Sequence, residues 1–388
     1  MKWPNAHIKR SMGTGWQPGP GPTAYGELEF IRSWVSRHLQ GVPVKFRMDG
    51  NAVHRYHKRA GPLSVVLLIG DPATDTVECW HKVARLAQLC SRPLKVIGGG
   101  TNLYITEAGF DGILVVYKHR GTVEVDTKRG LISCPACTPL SYVVYQASIS
   151  GLDMVDLWGI PGTVGGAVCN NTGNSRAGVN IGDMVVSVDA FDLARHRAGT
   201  LVLPRSTWRQ RDSYFRRDAR LNRRQNYVIR RVTLRPEACD VGALMSRLEA
   251  CRRYRREKNR HARHNAGSFW VNRIENKLGP HVLTRDFISQ SPLADLDING
   301  VHYTRAYSFL DTASHSTDQD VALMVAESLR VLRSEFSPSV RAEVEFLDRD
   351  GEIDLERFVA RFGLGYCWPA LRPVHPRYAY SQASERAA

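Results

Sequence analysis

At 388 residues the chain is long enough for two or three domains, with cores that need no disulfide or metal to hold them. Its 43% hydrophobic and 23% charged residues exclude wholesale disorder, and its longest apolar runs are too short to span a bilayer. The net charge of +15 is concentrated in residues 205–263, which hold 19 Lys+Arg against six Asp+Glu. Such a stretch suits nucleic acid, a small phosphorylated ligand or a solvated arginine face.

The N-terminus has no apolar stretch of the signal-peptide kind, so a cytoplasmic protein without membrane insertion is expected. Residues 11–23, rich in Gly and Pro, read as a flexible arm. Leu28, Ile31, Val35 and Leu39 recur at helical spacing and end at Gly41. A β-rich run at 64–69, a helix at 76–90 and strands at 94–97 and 113–117 make an α/β start. From 119 to 236 the pattern is β, with strands at 122–126, 131–134, 185–191 and 227–234 and one helix at 140–150. Helices are expected at 242–258, 318–333 and 355–362. Of the eight cysteines only Cys134 and Cys137 form a CxxC. No second pair or spaced histidines accompany them, so no metal site is expected, and the two read as small residues at a strand end.

Two glycine-rich segments carry the chemistry. In 96–103 (VIGGGTNL) a strand runs into Gly98, Gly99 and Gly100, followed by Thr101, Asn102 and Leu103. Consecutive N–H groups in such a turn form a nest for an anion and suit a pyrophosphate. The spacing is not the dinucleotide fingerprint, and a plain glycine turn between strands is the competing reading. The second segment, 159–173 (GIPGTVGGAVCNNTG), holds Pro161, Gly162, Thr163, Gly165, Gly166, Ala167, Asn171 and Gly173. So many glycines imply a backbone packed against something flat or charged.

Taken in order, these segments resemble the UDP-N-acetylenolpyruvoylglucosamine reductase family, over roughly residues 25–350. Residues 56–62 (YHKRAGP) are similar to its TFRIGGP, 98–103 to its GGGSNL, and 159–167 (GIPGTVGGA) match its second flavin loop without a change. The resemblance implies an α+β protein with the FAD-binding fold of the vanillyl-alcohol-oxidase (PCMH) type, in two subdomains, plus an α+β substrate domain. The expected organisation is an arm at 1–24, subdomains at 25–118 and 119–240, and a substrate domain at 241–334. Residues 335–350 would return to the active site, and 351–388 would form a C-terminal extension. FAD, bound non-covalently by residues 98–103, Pro161, Gly162, Thr163, Gly165, Gly166, Ala167, Asn171 and Gly173, would relay hydride from NADPH. The acceptor would be an enolpyruvyl ether on a UDP sugar, a small molecule, with no nucleic acid involved.

That reduction develops negative charge beside a carboxylate and then needs a proton. Arg211 lies in QRDSYFRR, similar to the family's YRDSxFK; a guanidinium can grip a carboxylate with two parallel donors. Ser268 lies in NAGSFWVN, similar to NAGSFFKNP, where the serine is the proton donor; Asn272 of this segment would contact the substrate diphosphate. Glu343, in SVRAEVEFL, takes the place of the catalytic glutamate, although Glu345 would share its strand face. Lys258 resembles a phosphate-binding lysine.

The departures concern the substrate. Gln210, Val271 and Arg273 replace the family's tyrosine, lysine and proline. The glutamate before the second flavin loop is missing, with only Asp153 or Asp156 to stand in, and the tyrosine substrate loop is absent. The sequence therefore matches the subtype without that loop. It also leaves room for a diverged paralogue that reduces a different unsaturated nucleotide or a secondary metabolite.

Overall fold

The computed structural model describes residues 26–53, 56, 58–175, 177–259, 265–304 and 309–364, the side chains of 257–259 excepted. The arm expected at 1–24 and the tail beyond 364 lie outside these residues.

The strand Pro62–Ile69 is apolar at almost every position, as a strand covered on both faces must be. It pairs in parallel with Phe110–Tyr117, which pairs in parallel with Leu94–Ile97. Val44–Asp49 closes the sheet as an antiparallel edge with alternating burial. Helices Glu27–His38 and Val77–Leu89 supply apolar faces through Ile31, Val35, Trp80 and Val83. The second helix starts at Thr76, whose hydroxyl accepts the Cys79 N–H at 3.0 Å.

The second sheet is antiparallel, in the order Arg197–Leu201, Val185–Asp192, Tyr227–Leu234, Leu131–Pro135, Glu124–Asp126. Helices Leu140–Ile149 and Val241–Asn259 lie against each other beside it. One apolar core runs from Ile31 to Leu248 and serves both sheets. Cys134 and Cys137 are buried free thiols, pushed up to about 12 and about 11 chiefly by burial. That suppresses the thiolate a redox couple would need.

A second core is built mainly from residues after 265, joined by Tyr56 and Tyr104, with Trp270, Tyr303, Phe336 and the helix Asp318–Val331 at its centre. From it the strand Glu345–Asp348 crosses back to pair in parallel with Leu103–Ile105. This crossing brings residue 343 to the first glycine loop. The hairpin partner Gly351–Ile353 and the helix Leu355–Ala360 follow, and Leu355, Phe358 and Val359 sink into the second core. Residues 351–360, expected in an extension, thus complete the fold, because three apolar side chains at helical spacing have a core to fill.

The arginine-rich stretch is dispersed over several elements, and much of its charge is paired. Arg217 and Arg220 flank Asp212, Arg230 pairs with Asp75, and Arg247 pairs with Asp153 and Asp156. Arg247 thereby occupies both carboxylates that could stand in for the missing glutamate. No described helix is long and apolar enough to cross a membrane.

Candidate active site

A cleft of about 520 Å³ opens where the two sheets and the second core meet. Its first wall is the loop 98–102, where the chain leaves the strand Leu94–Ile97. A side chain on Gly98 would fall 2.3 Å from the Thr163 hydroxyl, and one on Gly100 (φ +63°) 1.8 Å from the Val53 carbonyl. Only glycine allows these approaches. Thr101 Oγ1 donates to the Pro161 carbonyl at 3.1 Å and ties this loop to the second one. The N–H groups of Gly99, Gly100, Thr101 and Asn102 find no acceptor among the described residues. Four free amides on one glycine turn are a ready cradle for a pyrophosphate.

The second wall is 159–167. Its glycine run was read from sequence as a loop, yet Val164–Cys169 is a short helix, because Thr163 caps it through the Gly166 N–H. Gly165 packs inward, 2.9 Å from the Ala136 methyl if it carried a Cβ, whereas the corresponding position on Gly166 meets nothing closer than 3.6 Å. The two loops together fit FAD: they offer free amides and open backbone on facing walls.

The chemistry-bearing side chains gather on the remaining side. Arg211 sits in a tight turn, Arg209 and Asp212 exchanging backbone hydrogen bonds, at φ +52°, a conformation uncommon outside glycine. Its Nη2 donates to the Gly173 carbonyl at 2.6 Å, Nη1 makes long contacts to the Asn171 carbonyl and Asn180, and Nε lies 2.8 Å from Glu343 Oε1. Most of its donors are therefore engaged by the protein. The expected two-pronged grip on a carboxylate gives way to a fixed positive charge beside Glu343.

Glu343 is held by its backbone. Its N–H donates to the Phe269 carbonyl at 2.7 Å, and its carbonyl accepts from Asn102 and from Arg216 at 2.9 and 2.6 Å. Its second carboxylate oxygen, Oε2, is buried with no hydrogen-bond partner among the described residues, and the Arg211 Nε contact is an ion pair without hydrogen-bond alignment. Ser268 lies on the adjacent extended segment, and its oxygen accepts from Asn272 Nδ2 at 3.0 Å. Its hydroxyl hydrogen is left for the cleft, which Ser268, Asn272 and Glu343 all line.

A profile described as an FAD binding domain matches residues 73–196. The chain is 29% identical to the UDP-N-acetylenolpyruvoylglucosamine reductase of Anaeromyxobacter sp. over 309 residues, covering 76% of this chain and 88% of that protein. It is 27% identical to that of Trichlorobacter lovleyi, covering 83% and 97%. With the enzyme of Rhodopirellula baltica the identity is 30% over 176 residues, about half the length of that relative (53%). The crystal structure of the Thermus caldophilus enzyme shares the fold, with a TM-score of 0.58 at 19% identity over 79% of this chain and 98% of that one. The chain is an FAD-dependent oxidoreductase, similar in sequence and in fold to the UDP-N-acetylenolpyruvoylglucosamine reductases.

Two expectations for this reductase-type site change with the structure. Asn171 does not line the cleft: its buried amide bridges the Arg209 carbonyl (2.8 Å) and the Gly182 N–H (2.9 Å), which shapes the Arg211 turn. Glu345 also lines the cleft, but its carboxylate is paired with Lys95 of the strand Leu94–Ile97 at 2.9 Å. Burial alone would raise its carboxyl, but Lys95, with Arg216 behind it, holds it below the usual carboxylate range. Lys258 falls on the last turn of Val241–Asn259, and its side chain lies outside the described residues. Sequence reasoning missed two buried cleft arginines. Arg216 fills the lysine position of the Arg211 motif and was legible there; Arg285 belongs to no motif.

Proposed function

We propose that this chain reduces the enolpyruvyl ether of UDP-N-acetylglucosamine-enolpyruvate to UDP-N-acetylmuramate with NADPH, in cytoplasmic peptidoglycan precursor synthesis. The observation that carries the reading is the Arg211–Glu343 pair, 2.8 Å apart, in one cleft with Ser268 and two facing glycine loops. Residues 98–103 and 159–167 hold FAD non-covalently, and FAD when bound supplies the two-electron relay between NADPH and the double bond.

The protein's own part is electrostatic and protic. Hydride addition at the terminal methylene leaves negative charge on the next carbon and its carboxylate. Arg211, fixed by Gly173 and Glu343, presents positive charge there without reorganising. Glu343 pairs with that guanidinium through Oε1 and holds it beside the developing charge. Ser268 gives its hydroxyl proton to the carbon; the hydrogen bond it accepts from Asn272 favours the departing proton. Asn272 and Lys258 bind the diphosphate.

The test is turnover of the flavin-loaded protein with NADPH and the enolpyruvyl sugar nucleotide. The purified protein is expected to be yellow and to oxidise NADPH only when the acceptor is present. A protein that stays colourless after incubation with FAD sinks the reading. Turnover of another unsaturated nucleotide, with none of this one, would favour the diverged-paralogue alternative, which buried Val271 in the place of the family's lysine supports.

A further inference from the structure

The motif that carries Ser268 has a lysine in the family at position 271, and here that position is Val271, 1% exposed. The site has nevertheless not lost a cation. Thr284 lies directly over this segment, its hydroxyl donating to the Val271 carbonyl at 2.8 Å and its N–H to the Asn272 carbonyl at 2.9 Å. The next residue, Arg285, donates its own N–H to Asn272 Oδ1 at 3.2 Å, so Asn272 connects Arg285 directly to Ser268. Arg285 is 9% exposed and lines the cleft. Its Nε reaches Asp286 at 3.3 Å, and its two Nη atoms have no hydrogen-bond partner among the described residues.

The stem of Arg285 is buried, but its two terminal nitrogens are not sealed from solvent, so they stand open to a ligand that enters the cleft. The planar fork of the guanidinium matches phosphate oxygens with two parallel donors. We infer that Arg285 is a substrate-binding residue of this site, a grip for the diphosphate of the acceptor nucleotide that replaces the cation absent at position 271. The inference rests on the nucleotide-sugar reading above and adds the residue that recognises the phosphates. Arg211 and Arg285 then divide the acceptor between them, the first serving the carboxylate where charge develops and the second the diphosphate. Arg285 should accordingly govern affinity and leave the chemical step alone.

Calorimetric titration of UDP into the flavin-loaded protein tests this, with Arg285→Gln, Arg285→Lys and Asp286→Asn alongside. Arg285→Gln should weaken UDP at least tenfold, Arg285→Lys less, and Asp286→Asn little. In turnover by Arg285→Gln, KM for the acceptor should rise while kcat holds. Parent-like UDP affinity in Arg285→Gln overturns the inference, as does an equal loss in Asp286→Asn, which would mean that the pair merely shapes the loop. If Arg285→Gln does not fold, Arg285→Lys decides: parent-like UDP affinity in it overturns the inference, because a lysine cannot make the paired contact. A parent protein that ignores UDP fails the nucleotide reading itself. Inorganic pyrophosphate then decides for Arg285: binding lost in Arg285→Gln keeps it as a phosphate grip, and unchanged binding removes it.

Discussion

The oxygen of Ser268 accepts a hydrogen bond from Asn272 at 3.0 Å, and its own hydrogen has no acceptor among the described residues. Ser268→Ala should separate the two half-reactions. Flavin bleaching by NADPH should proceed almost normally, and reoxidation by the acceptor should slow by about a hundredfold to ten-thousandfold, the scale of a lost general acid. Stopped-flow absorbance of each half-reaction checks this; equal slowing of both would make Ser268 a structural residue. Arg211 offers a second test, because its charge and its shape can be separated. Arg211→Lys keeps the charge but cannot reach the Gly173 carbonyl and Glu343 together. It should lose about 2–4 kcal/mol of transition-state stabilisation in kcat/KM while retaining flavin. Near-parent turnover would reduce Arg211 to one more arginine of a basic stretch.

The hairpin made by Glu345–Asp348 and Gly351–Ile353 is pinned to the first sheet by a partly buried cation, Lys95, at 2.9 Å from Glu345 and 3.0 Å from Glu352. Because the folded Glu345 carboxyl lies below its ordinary value, its contribution to stability is complete above about pH 4.3 and is lost as pH falls through the folded value. Lys95→Met should cost about 3 kcal/mol at pH 7 and flatten that acid dependence, since Glu345 would no longer prefer the charged state as strongly. Urea midpoints between pH 3 and 7 measure both, and an unchanged slope would show that Lys95 does not set it. The glycine loops give a second contrast at this scale. Gly165→Val clashes with Ala136 and should unfold the loop, whereas Gly166→Val should leave melting near the parent and abolish flavin retention. These elements were also the most legible in the sequence, because a strand ending in three glycines has few physical alternatives. The helix Tyr214–Asn222 was not legible, since its arginines conceal the apolar face that Phe215 buries. Asn171 was misplaced because motif register gives order along the chain but no side-chain direction. Arg285 left no periodic or motif signal; only the fold, by setting Thr284 over Val271, puts it in the cleft.

Across the whole molecule, the second core is tied to the first sheet by a buried polar contact as well as by apolar packing. Lys58 is fully buried, and its ammonium lies 2.7 Å from Asp318 at the start of the helix Asp318–Val331 and 4.9 Å from the centre of the Tyr104 ring. Asp318 also accepts from Tyr104 Oη at 2.7 Å and from the Glu107 N–H at 2.8 Å, and the Lys58 N–H donates to Thr312 at 3.2 Å. The segment between the strands Val44–Asp49 and Pro62–Ile69, the strand after the first glycine loop and the second core thus meet at one carboxylate. The two partners are not equivalent. Asp318→Asn leaves the ammonium with the Arg59 carbonyl and an aromatic face, and should cost about 3–5 kcal/mol, the scale of a buried charge stripped of its partner. Lys58→Met leaves the carboxylate with two hydrogen-bond donors and the favourable end of a helix dipole, so its loss should be smaller. The double variant should lose less than the sum of the two, because neither charge is then stranded. Since the contact ties the second core, which contains Trp270, to the segment that leads into the strand Pro62–Ile69, the unfolding transitions should also come apart. In the parent, flavin release and tryptophan fluorescence should report one urea midpoint. In Asp318→Asn the second core should loosen first, and fluorescence should begin to change before the flavin leaves. Coincident transitions at the parent midpoint in Asp318→Asn would mean that apolar packing alone holds the second core to the first sheet.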